Sequence, residues 1–141
     1  MKKCVVIIPA LNEEKTIGNV IDAVPRVLFD EIFFEIVVIN DGSCDHTEDI
    51  AKQHGSYVIT HEKPMGVGLS FADGIREAIS RKADYAVNID ADGQMNPADM
   101  EKLLIPLNEG IADMVTASRF MDKFNRNNAS LLYALNPHDT S

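Results

Sequence analysis

The chain has 141 residues, of which 45% are hydrophobic, and it carries 22 acidic against 13 basic side chains, a formal net charge of −9. This length and apolar content suffice for one folded domain with its own core, and they exclude a largely disordered chain. The negative charge argues against partners such as nucleic acid or an anionic membrane, because both reward clustered Lys and Arg. A phosphate-bearing ligand would need a cation or backbone N–H donors to offset this field.

The two cysteines and the N-terminus suggest where the protein works. Cys4 and Cys44 form no CxxC pair and show no metal-ligand spacing, which predicts reduced thiols in a cytoplasmic protein. The apolar run at 4–8 is too short for a signal peptide and soon meets charged residues. No stretch is long enough to span a membrane, so we expect a cytoplasmic protein or one held peripherally at the inner membrane face.

The first part of the chain predicts a strand, a helix and a second strand. β-Branched residues at 4–8 (CVVII) predict a buried strand that ends at a proline. Between residues 17 and 24 the apolar side chains recur at i, i+3, i+4 and i+7, the spacing of one helical face. A second apolar run at 34–39 (FEIVVI) predicts the next strand.

The same alternation continues through the middle of the chain. Asp45 predicts the cap of a helix over 46–54, and Gly55 predicts its end. A third strand follows at 57–60 (YVIT). Apolar residues at helical spacing between 69 and 79 then predict a third helix.

The last predicted elements are strand, helix and strand. Residues 85–89 (YAVNI) predict the fourth strand, and a helix is expected from Asn96 and Pro97 up to Gly110. Residues 114–118 (MVTAS) predict a fifth strand. Strands rich in Val and Ile that alternate with helices predict a three-layer α/β/α fold around a mostly parallel sheet.

The chain after residue 120 loses this alternation. We therefore assign residues 1–120 to one α/β domain and residues 121–141 to a C-terminal tail. Within the tail, 130–135 (SLLYAL) predicts a partly helical segment.

Polar residues gather where the predicted strands end. PALNEE (9–14) follows the first strand, NDGSCD (40–45) the second, DADGQ (90–94) the fourth and Arg119 the fifth. Ligands of open α/β sheets bind at the carboxyl ends of the strands. If the strands are parallel, these four segments meet at one edge of the sheet and form one site.

Asp90 and Asp92 predict a site for a divalent cation. Carboxylates two residues apart in an extended segment point to the same side, and they can hold Mg²⁺ or Mn²⁺ that bridges diphosphate oxygens. Gly93 allows the backbone to turn, and Gln94 can orient a metal-bound water. A D-x-D pair alone is also found in solvated loops. An EF-hand is excluded because Met95 stands where that loop needs glycine.

Two other segments have both a structural and a functional interpretation. NDGS (40–43) is typical of a turn with local backbone bonds, yet Asp41 is also placed to accept hydrogen bonds from a base or a ribose. Residues 65–74 (MGVGLSFADG) resemble a phosphate cradle at a helix N-terminus, while close helix–sheet packing explains their glycines equally well. The histidines at 46, 54, 61 and 138 show no ligand spacing and are interpreted as surface or capping residues.

Together these segments resemble the amino-terminal half of family 2 glycosyltransferases, which have the GT-A fold. The similarity covers about residues 3–120 and runs in the family's order through VVIIPALNEEKTIGNVI, IVVINDGSCDHT, MGVGLSFADGI, IDADGQMNPADM and TASRF. The DADGQ form is most similar to the branch that includes dolichyl- and polyprenyl-phosphate sugar synthases.

The resemblance implies roles for individual residues. Asp90 and Asp92 would hold Mg²⁺ or Mn²⁺, with Asp92 the more direct ligand, and Arg119 would contact the diphosphate. The general base is not assigned. The residues implied in binding the nucleotide sugar are Pro9, Ala10, Leu11, Glu13, Asp41, Gly66, Asp90, Ala91, Asp92, Gln94 and Arg119.

The implied reaction is metal-dependent transfer of a sugar from a UDP- or GDP-sugar to an acceptor, with inversion at the anomeric carbon. The acceptor would be a polyprenyl phosphate or a cell-envelope glycan. Relatives continue with an acceptor site, so we expect a GT-A fold truncated at its C-terminus. The alternative is a donor-binding module that transfers nothing. A sugar-phosphate nucleotidyltransferase would need a basic, glycine-rich loop where this chain has PALNEE. A half-fold exposes sheet surface, which predicts a homo-oligomer or a tail that covers that surface.

Overall fold

The structure is a computed structural model that describes residues 1–93, 98–109, 114–116 and 133–135. Its strands are β1 (Lys2–Ala10), β2 (Val27–Leu28), β3 (Ile32–Asn40), β4 (Tyr57–Thr60), β5 (Tyr85–Asn88), β6 (Met114–Thr116) and β7 (Tyr133–Leu135). Its helices are α1 (Ile17–Ala23), α2 (Thr47–Gln53), α3 (Val67–Ser80) and α4 (Ala98–Asn108).

One mixed sheet contains all the described strands, with β1 at its centre. β1 pairs in parallel with β3 along its whole length and with β5 on its other side. β4 continues the parallel part beside the end of β3, while the short β2 pairs antiparallel with the start of β3. Beyond β5 the order is β7 and then β6, antiparallel at each step, so β6 runs in the same direction as β5. The carboxyl ends of β1, β3 and β5 therefore lie along one edge, as predicted, together with that of β4, whereas Arg119 after β6 lies outside the described residues.

Helices cover both faces of the sheet, which explains why its central strands are apolar on both sides. Cys4, Val6 and Ile8 of β1 belong to a core shared with α1, α2 and α4. Val5 and Ile7 point the other way, into a second core shared with α3. The predicted three-layer α/β/α architecture is therefore confirmed. Among the described residues, none of the helices has both the length and the apolar character needed to cross a bilayer.

Gly74 sets the distance between α3 and the sheet. A Cβ atom at this position would lie 2.4 Å from Cγ2 of Ile7, which is closer than real Cβ atoms come to any neighbour. Close helix–sheet packing, one of the two interpretations of the glycines at 65–74, is thus confirmed for Gly74. It does not explain Gly66 or Gly68, where a Cβ would meet nothing within 4 Å.

The C-terminal part of the sheet corrects one prediction. The sequence predicts helical structure over 130–135, but Tyr133–Leu135 form β7, which pairs with β5 and β6. An apolar run of this length suits a helix or a strand, and here the edge of β5 supplies the hydrogen-bonding partners of a strand. This part of the chain therefore covers the edge of β5, one of the two outcomes expected for exposed sheet surface. The domain boundary at residue 120 lies outside the described residues and stays a prediction, as does self-association.

Smaller differences concern the ends of elements. β1 and β3 each extend beyond the predicted runs because pairing continues down to Lys2 and Ile32. β2 is a two-residue strand that no sequence pattern indicated. The predicted start of α4 at Asn96 and Pro97 lies outside the described residues.

Candidate functional site

The loops that follow β1, β3 and β5 surround a cavity of about 380 Å³, a volume typical of small-molecule sites. The predicted site residues within the described part of the chain all line it: Pro9, Ala10, Leu11, Glu13, Asp41, Gly66, Asp90, Ala91 and Asp92. Four residues that were not predicted line it as well: Pro64, Val67, Ser70 and Asn88. Gln94 and Arg119 lie outside the described residues. The cavity brings the predicted residues together, and their roles in binding a ligand stay predictions.

Hydrogen bonds between two loops hold one wall of the cavity in place. The backbone N–H of Asn12 donates to Oγ of Ser43 at 2.9 Å, and the N–H of Cys44 donates back to Oδ1 of Asn12 at 2.7 Å. The N–H of Glu13 donates to Oγ1 of Thr47 at 2.9 Å. Asn12 has a positive φ of 56°, a conformation that asparagine tolerates better than most residues. The loop that carries Leu11 and Glu13 is therefore fastened to the loop that follows β3.

Asp41 is buried in the cavity wall and held by three donors. It is 6% exposed. Its Oδ1 accepts hydrogen bonds from Nδ1 of His61 at 2.8 Å and from the N–H of Met65 at 2.7 Å, and its Oδ2 accepts one from the N–H of Gly66 at 3.0 Å. Burial raises the pKa of Asp41, but these hydrogen bonds outweigh it and hold the pKa below its ordinary value. Asp41 is thus an ionised, rigid acceptor, and its bonds are not the local turn bonds of the structural interpretation.

His61 lies behind the cavity wall against Asp41, a contact that the sequence interpretation missed. Its side chain is 12% exposed, and its Nε2 lies 2.6 Å from Oδ2 of Asp73 while Nδ1 faces Asp41. The hydrogen bonds to Asp41 and then to Asp73 raise the pKa of His61 above its ordinary value, although burial opposes them. A surface or capping role is therefore wrong for this histidine. Since the three residues follow no motif spacing, only the pairing of β3 with β4 and the packing of α3 bring them together.

Gly42 allows the loop over residues 61–66 to approach Asp41. It has a positive φ of 76°, and a Cβ atom here would lie 2.5 Å from backbone atoms of Lys63 and Pro64. Any side chain would therefore push the 61–66 loop away from the end of β3. The contact explains why glycine is required at this turn.

Asp90 and Asp92 lie in the turn over residues 90–93, which follows β5. Thr16, at the start of α1, donates its hydroxyl to the carbonyl oxygen of Ala91 at 2.6 Å. Gly93 has a positive φ of 83°, in agreement with its predicted role in turning the backbone. Thr16 was not predicted, and it fastens the 90–93 turn to a helix 75 residues away in sequence.

The two carboxylates suit a hard divalent cation that arrives with a phosphate ligand. Mg²⁺ in proteins is often held by one or two carboxylates, with water and substrate phosphates as its other ligands. Residues 1–93 and the shorter described segments contain no group of three or more His, Cys, Asp and Glu that could enclose a metal ion. The donor set at Asp90 and Asp92 therefore fits Mg²⁺ or Mn²⁺ better than a closed site of the structural zinc type.

The N-terminus of α3 also lines this cavity. Gly66 occupies the cap position with a φ of 104°, and no side chain caps the helix. The hydroxyl of Ser70 in its first turn is 1% exposed and has no hydrogen-bond partner among the described residues. The first N–H groups of a helix lack intrahelical acceptors and attract anions. This end of α3 thus offers donors that a phosphate or a hydroxyl group of a ligand can use.

Comparison with known proteins is consistent with this geometry. The sequence model of the family described as "Glycosyl transferase family 2" matches residues 5–139. An uncharacterized protein of Methanocaldococcus jannaschii is 41% identical over 128 residues, which are 90% of this chain and 51% of that protein. The UDP-N-acetylglucosamine–dolichyl-phosphate N-acetylglucosaminyltransferase of Methanococcus voltae is 34% identical over 130 residues, covering 80% of this chain and 50% of the enzyme. The chain thus spans about half the length of these relatives.

A solved structure shares the fold. Glucosyl-3-phosphoglycerate synthase of Mycobacterium tuberculosis, in complex with Mn²⁺, uridine diphosphate and phosphoglyceric acid, matches with a TM-score of 0.74 and 25% identity. The match covers 97% of this chain and 56% of that one, and it confirms the predicted GT-A fold. Because the family's sequence model extends over almost the whole chain and the fold agrees, this chain belongs to glycosyl transferase family 2.

Proposed function

We propose that the cavity binds a nucleotide diphosphate sugar together with Mg²⁺ or Mn²⁺, and that the chain is the donor-binding part of an inverting glycosyltransferase. The observation that carries this proposal is the convergence of Asp41 with the 90–93 turn in one cavity at the carboxyl ends of β1, β3 and β5. An ionised acceptor on one side and two carboxylates on another match a ligand with a hydrogen-bonding base at one end and a diphosphate at the other.

Different residues of the cavity bind different parts of the nucleotide sugar. Asp41 accepts hydrogen bonds from the base or the ribose, and the β1–α1 loop with Leu11 and Glu13 encloses this part of the ligand. Asp90 and Asp92 hold the cation, and Thr16 keeps their turn in position. Since the chain has a net charge of −9, a diphosphate needs such a cation to enter an acidic site.

The start of α3 adds hydrogen-bond donors to the same cavity. Its N–H groups and the hydroxyl of Ser70 donate to phosphate or sugar oxygens, since both lie at the cavity and Ser70 has no other described partner. When bound, the cation supplies positive charge that stabilises the departing diphosphate. In the transfer, an acceptor oxygen attacks the anomeric carbon from the face opposite the diphosphate. An ionised phosphate oxygen brings no proton to this step, whereas a hydroxyl oxygen gives its proton to a general base. The bond to the diphosphate oxygen breaks, and that oxygen keeps the bonding pair.

The named relatives suggest the substrate class. One is named for UDP-N-acetylglucosamine and dolichyl phosphate, and the other was crystallised with uridine diphosphate and phosphoglyceric acid. We therefore propose a uridine nucleotide rather than a guanosine nucleotide as the donor. Both acceptors carry a phosphate group, which favours a phosphate-bearing acceptor here. A lipid phosphate would place the protein at the inner face of the membrane.

Calorimetric titration tests the donor site. UDP, UDP-glucose, UDP-N-acetylglucosamine, GDP and GDP-mannose are titrated with and without Mn²⁺ into the unchanged protein and into Asp92→Asn. We expect metal-dependent binding of the uridine nucleotides that weakens by at least about 10-fold in Asp92→Asn. Asp30→Asn is the matched control, because it removes one exposed carboxylate beside the start of β3, at the other end of the sheet. Equal binding in both variants would refute the assignment of the metal site.

Transfer is measured separately from binding. Hydrolysis-corrected consumption of the bound UDP-sugar is followed with a polyprenyl phosphate or phosphoglycerate as the added acceptor. Release of UDP that depends on one of these acceptors would support the transferase. Metal-dependent binding without acceptor-dependent release would support the alternative of a donor-binding module.

A further inference from the structure

We propose that His61 is a positioning residue of the donor site, where its protonated ring, held between Asp41 and Asp73, keeps the Asp41 carboxylate and the 61–66 loop in the conformation that binds nucleotide. The inference rests on the proposed function, because it concerns the same cavity. It adds a residue that does not line the cavity and a dependence of donor binding on the charge of that residue.

The geometry around His61 requires both ring nitrogens to donate. Nδ1 lies 2.8 Å from a carboxylate oxygen of Asp41, and Nε2 lies 2.6 Å from one of Asp73. A neutral imidazole has only one N–H, so one of its nitrogens would present a lone pair to a carboxylate oxygen at hydrogen-bonding distance. Only the imidazolium form satisfies both contacts.

Both carboxylates also accept hydrogen bonds from donors other than His61. Asp41 accepts two backbone N–H bonds besides the one from His61. Asp73 accepts a hydrogen bond from Nη1 of Arg76 at 2.7 Å through its other oxygen. The charges of Asp41, His61, Asp73 and Arg76 sum to zero while His61 is protonated. Loss of its proton leaves one uncompensated negative charge beside the cavity.

The other charged groups near His61 do not replace this charge. From α2, Glu48 contacts the hydroxyl of Thr60, the residue before His61, and is itself paired with Lys52 at 3.9 Å. Glu62 and Lys63 follow His61 in the chain and are exposed. The positive charge nearest to Asp41 therefore comes from His61.

The 61–66 loop depends on Asp41 because apolar packing does little to hold its end. Met65 is 49% exposed, and Val67, at the start of α3, is 64% exposed. The loop is instead held by the Asp41 carboxylate, by the close approach of Gly42, and by the backbone bond from the N–H of His61 to the carbonyl oxygen of Asn40. If His61 loses its charge, Asp41 and Asp73 are no longer neutralised and the Asp41 carboxylate can rotate. The N–H groups of Met65 and Gly66 then lose their acceptor, and the cavity wall that contains Pro64 and Gly66 shifts.

Three variants separate a positioning role from a general structural one. His61→Gln keeps an amide N–H₂ donor group but cannot carry a charge. Asp73→Asn keeps an acceptor for Nε2 but removes the charge that favours the imidazolium. His54→Gln is the matched control, because His54 also pairs with a carboxylate at 2.9 Å, that of Asp22 on α1, but it follows α2 and does not line the cavity.

The affinity for UDP with Mg²⁺ is measured by calorimetry from about pH 6 to about pH 9, a series that starts below the ordinary histidine pKa of 6.5 and extends above it, because the pKa of His61 is raised. We expect affinity in the unchanged protein to fall as the pH rises through the pKa of His61, and we expect Asp73→Asn to move that fall to lower pH. His61→Gln should bind about 10-fold more weakly at low pH and show no such fall, while His54→Gln should match the unchanged protein. A His61→Gln variant with the affinity and pH profile of the unchanged protein would overturn the proposal.

A readout without nucleotide keeps this inference separate from the proposed function. The ring of His61 is titrated by NMR in the free protein, and hydrogen exchange is followed at the N–H groups of Met65 and Gly66. A pKa above that of a free histidine, together with protection of these N–H groups that falls as His61 loses its proton after correction for the intrinsic pH dependence of exchange, would support the positioning role even if no nucleotide bound. A pKa at or below that of a free histidine, or protection that does not change as His61 titrates, would refute this role whatever the nucleotide data show.

Discussion

Replacing Thr16 by valine tests how the 90–93 turn is held. Valine keeps the shape and the methyl group of threonine, but it removes the hydroxyl that donates to the carbonyl oxygen of Ala91 at 2.6 Å. That carbonyl then loses its bond to the residue that begins α1. The change also removes the longer contacts of this hydroxyl with Glu13, to its carbonyl oxygen at 3.5 Å and to its Oε2 at 3.2 Å, but it creates no large cavity.

The size of the effect follows from the loss of one hydrogen bond with its acceptor left behind. Such a loss costs about 1–3 kcal/mol of stability, and for a domain of this size each kcal/mol lowers the Tm by roughly 2–6 °C. Because Asp90 and Asp92 lie on either side of Ala91, we also expect metal-dependent binding of UDP to weaken by about 10-fold, equivalent to about 1.4 kcal/mol. Binding of UDP without metal should change little.

The assay combines thermal unfolding with calorimetry, and Ser56→Ala is the matched control. Ser56 also donates its hydroxyl to a backbone carbonyl, that of Ala51 at 2.9 Å, but it lies at the end of α2. We expect both variants to lose stability and only Thr16→Val to lose metal-dependent affinity, while Thr16→Ser keeps both. If Thr16→Val bound UDP and Mn²⁺ as tightly as the unchanged protein, the hydrogen bond would not position the turn.

Two further predictions concern the backbone of the cavity wall and its carboxylates. Gly42→Ala should destabilise the protein by more than Gly55→Ala. Both glycines have positive φ, where alanine costs about 1–2 kcal/mol of strain, but only at Gly42 would the new Cβ meet backbone atoms at 2.5 Å. Equal urea midpoints of the two variants would show that the contact of Gly42 with the 61–66 loop is unimportant. Burial raises the pKa of Asp41 and of Asp45, but hydrogen bonds outweigh it, so both pKa values are lowered from the ordinary 3.8. The contribution of each ionised carboxylate to folding stability is therefore present above pH 3.8 and is lost as the pH falls through the lowered pKa. Urea unfolding at a series of acid pH values should therefore show a smaller loss of stability in Asp45→Asn than in the unchanged protein, and an identical acid dependence would contradict this.

His61 contributes to stability with the opposite sign. Its pKa is raised above the ordinary value of 6.5, so its contribution is fully present below that value and is lost as the pH rises through the raised pKa. The stability of the 61–66 loop should thus decrease at alkaline pH, and hydrogen exchange at the N–H groups of Met65 and Gly66 measures this decrease.

The residues that predicted the fold act over short stretches of sequence. β-Branched runs between helical patterns indicated parallel strands covered on both faces, since such runs are stable only when both faces are buried. The same reasoning placed Asp41 and the Asp90–Asp92 pair at strand ends, and the parallel order of β3, β1 and β5 then brought them to one cavity. The sequence also predicted turns at Gly42 and Gly93, because glycine adopts a positive φ without a steric cost and this preference is local.

The sequence alone determined the elements and the edge of the sheet where the polar residues collect, because hydrophobic period and turn chemistry are set by neighbouring residues. The tertiary structure alone decided which side chains support that edge. Thr16 meets Ala91 across 75 residues, and His61 meets Asp41 across 20 and Asp73 across 12. In the same way, residues 133–135 are a strand because β5 offers them an edge to pair with. Such contacts depend on how strands and helices pack, and no local pattern records a partner that lies on another element.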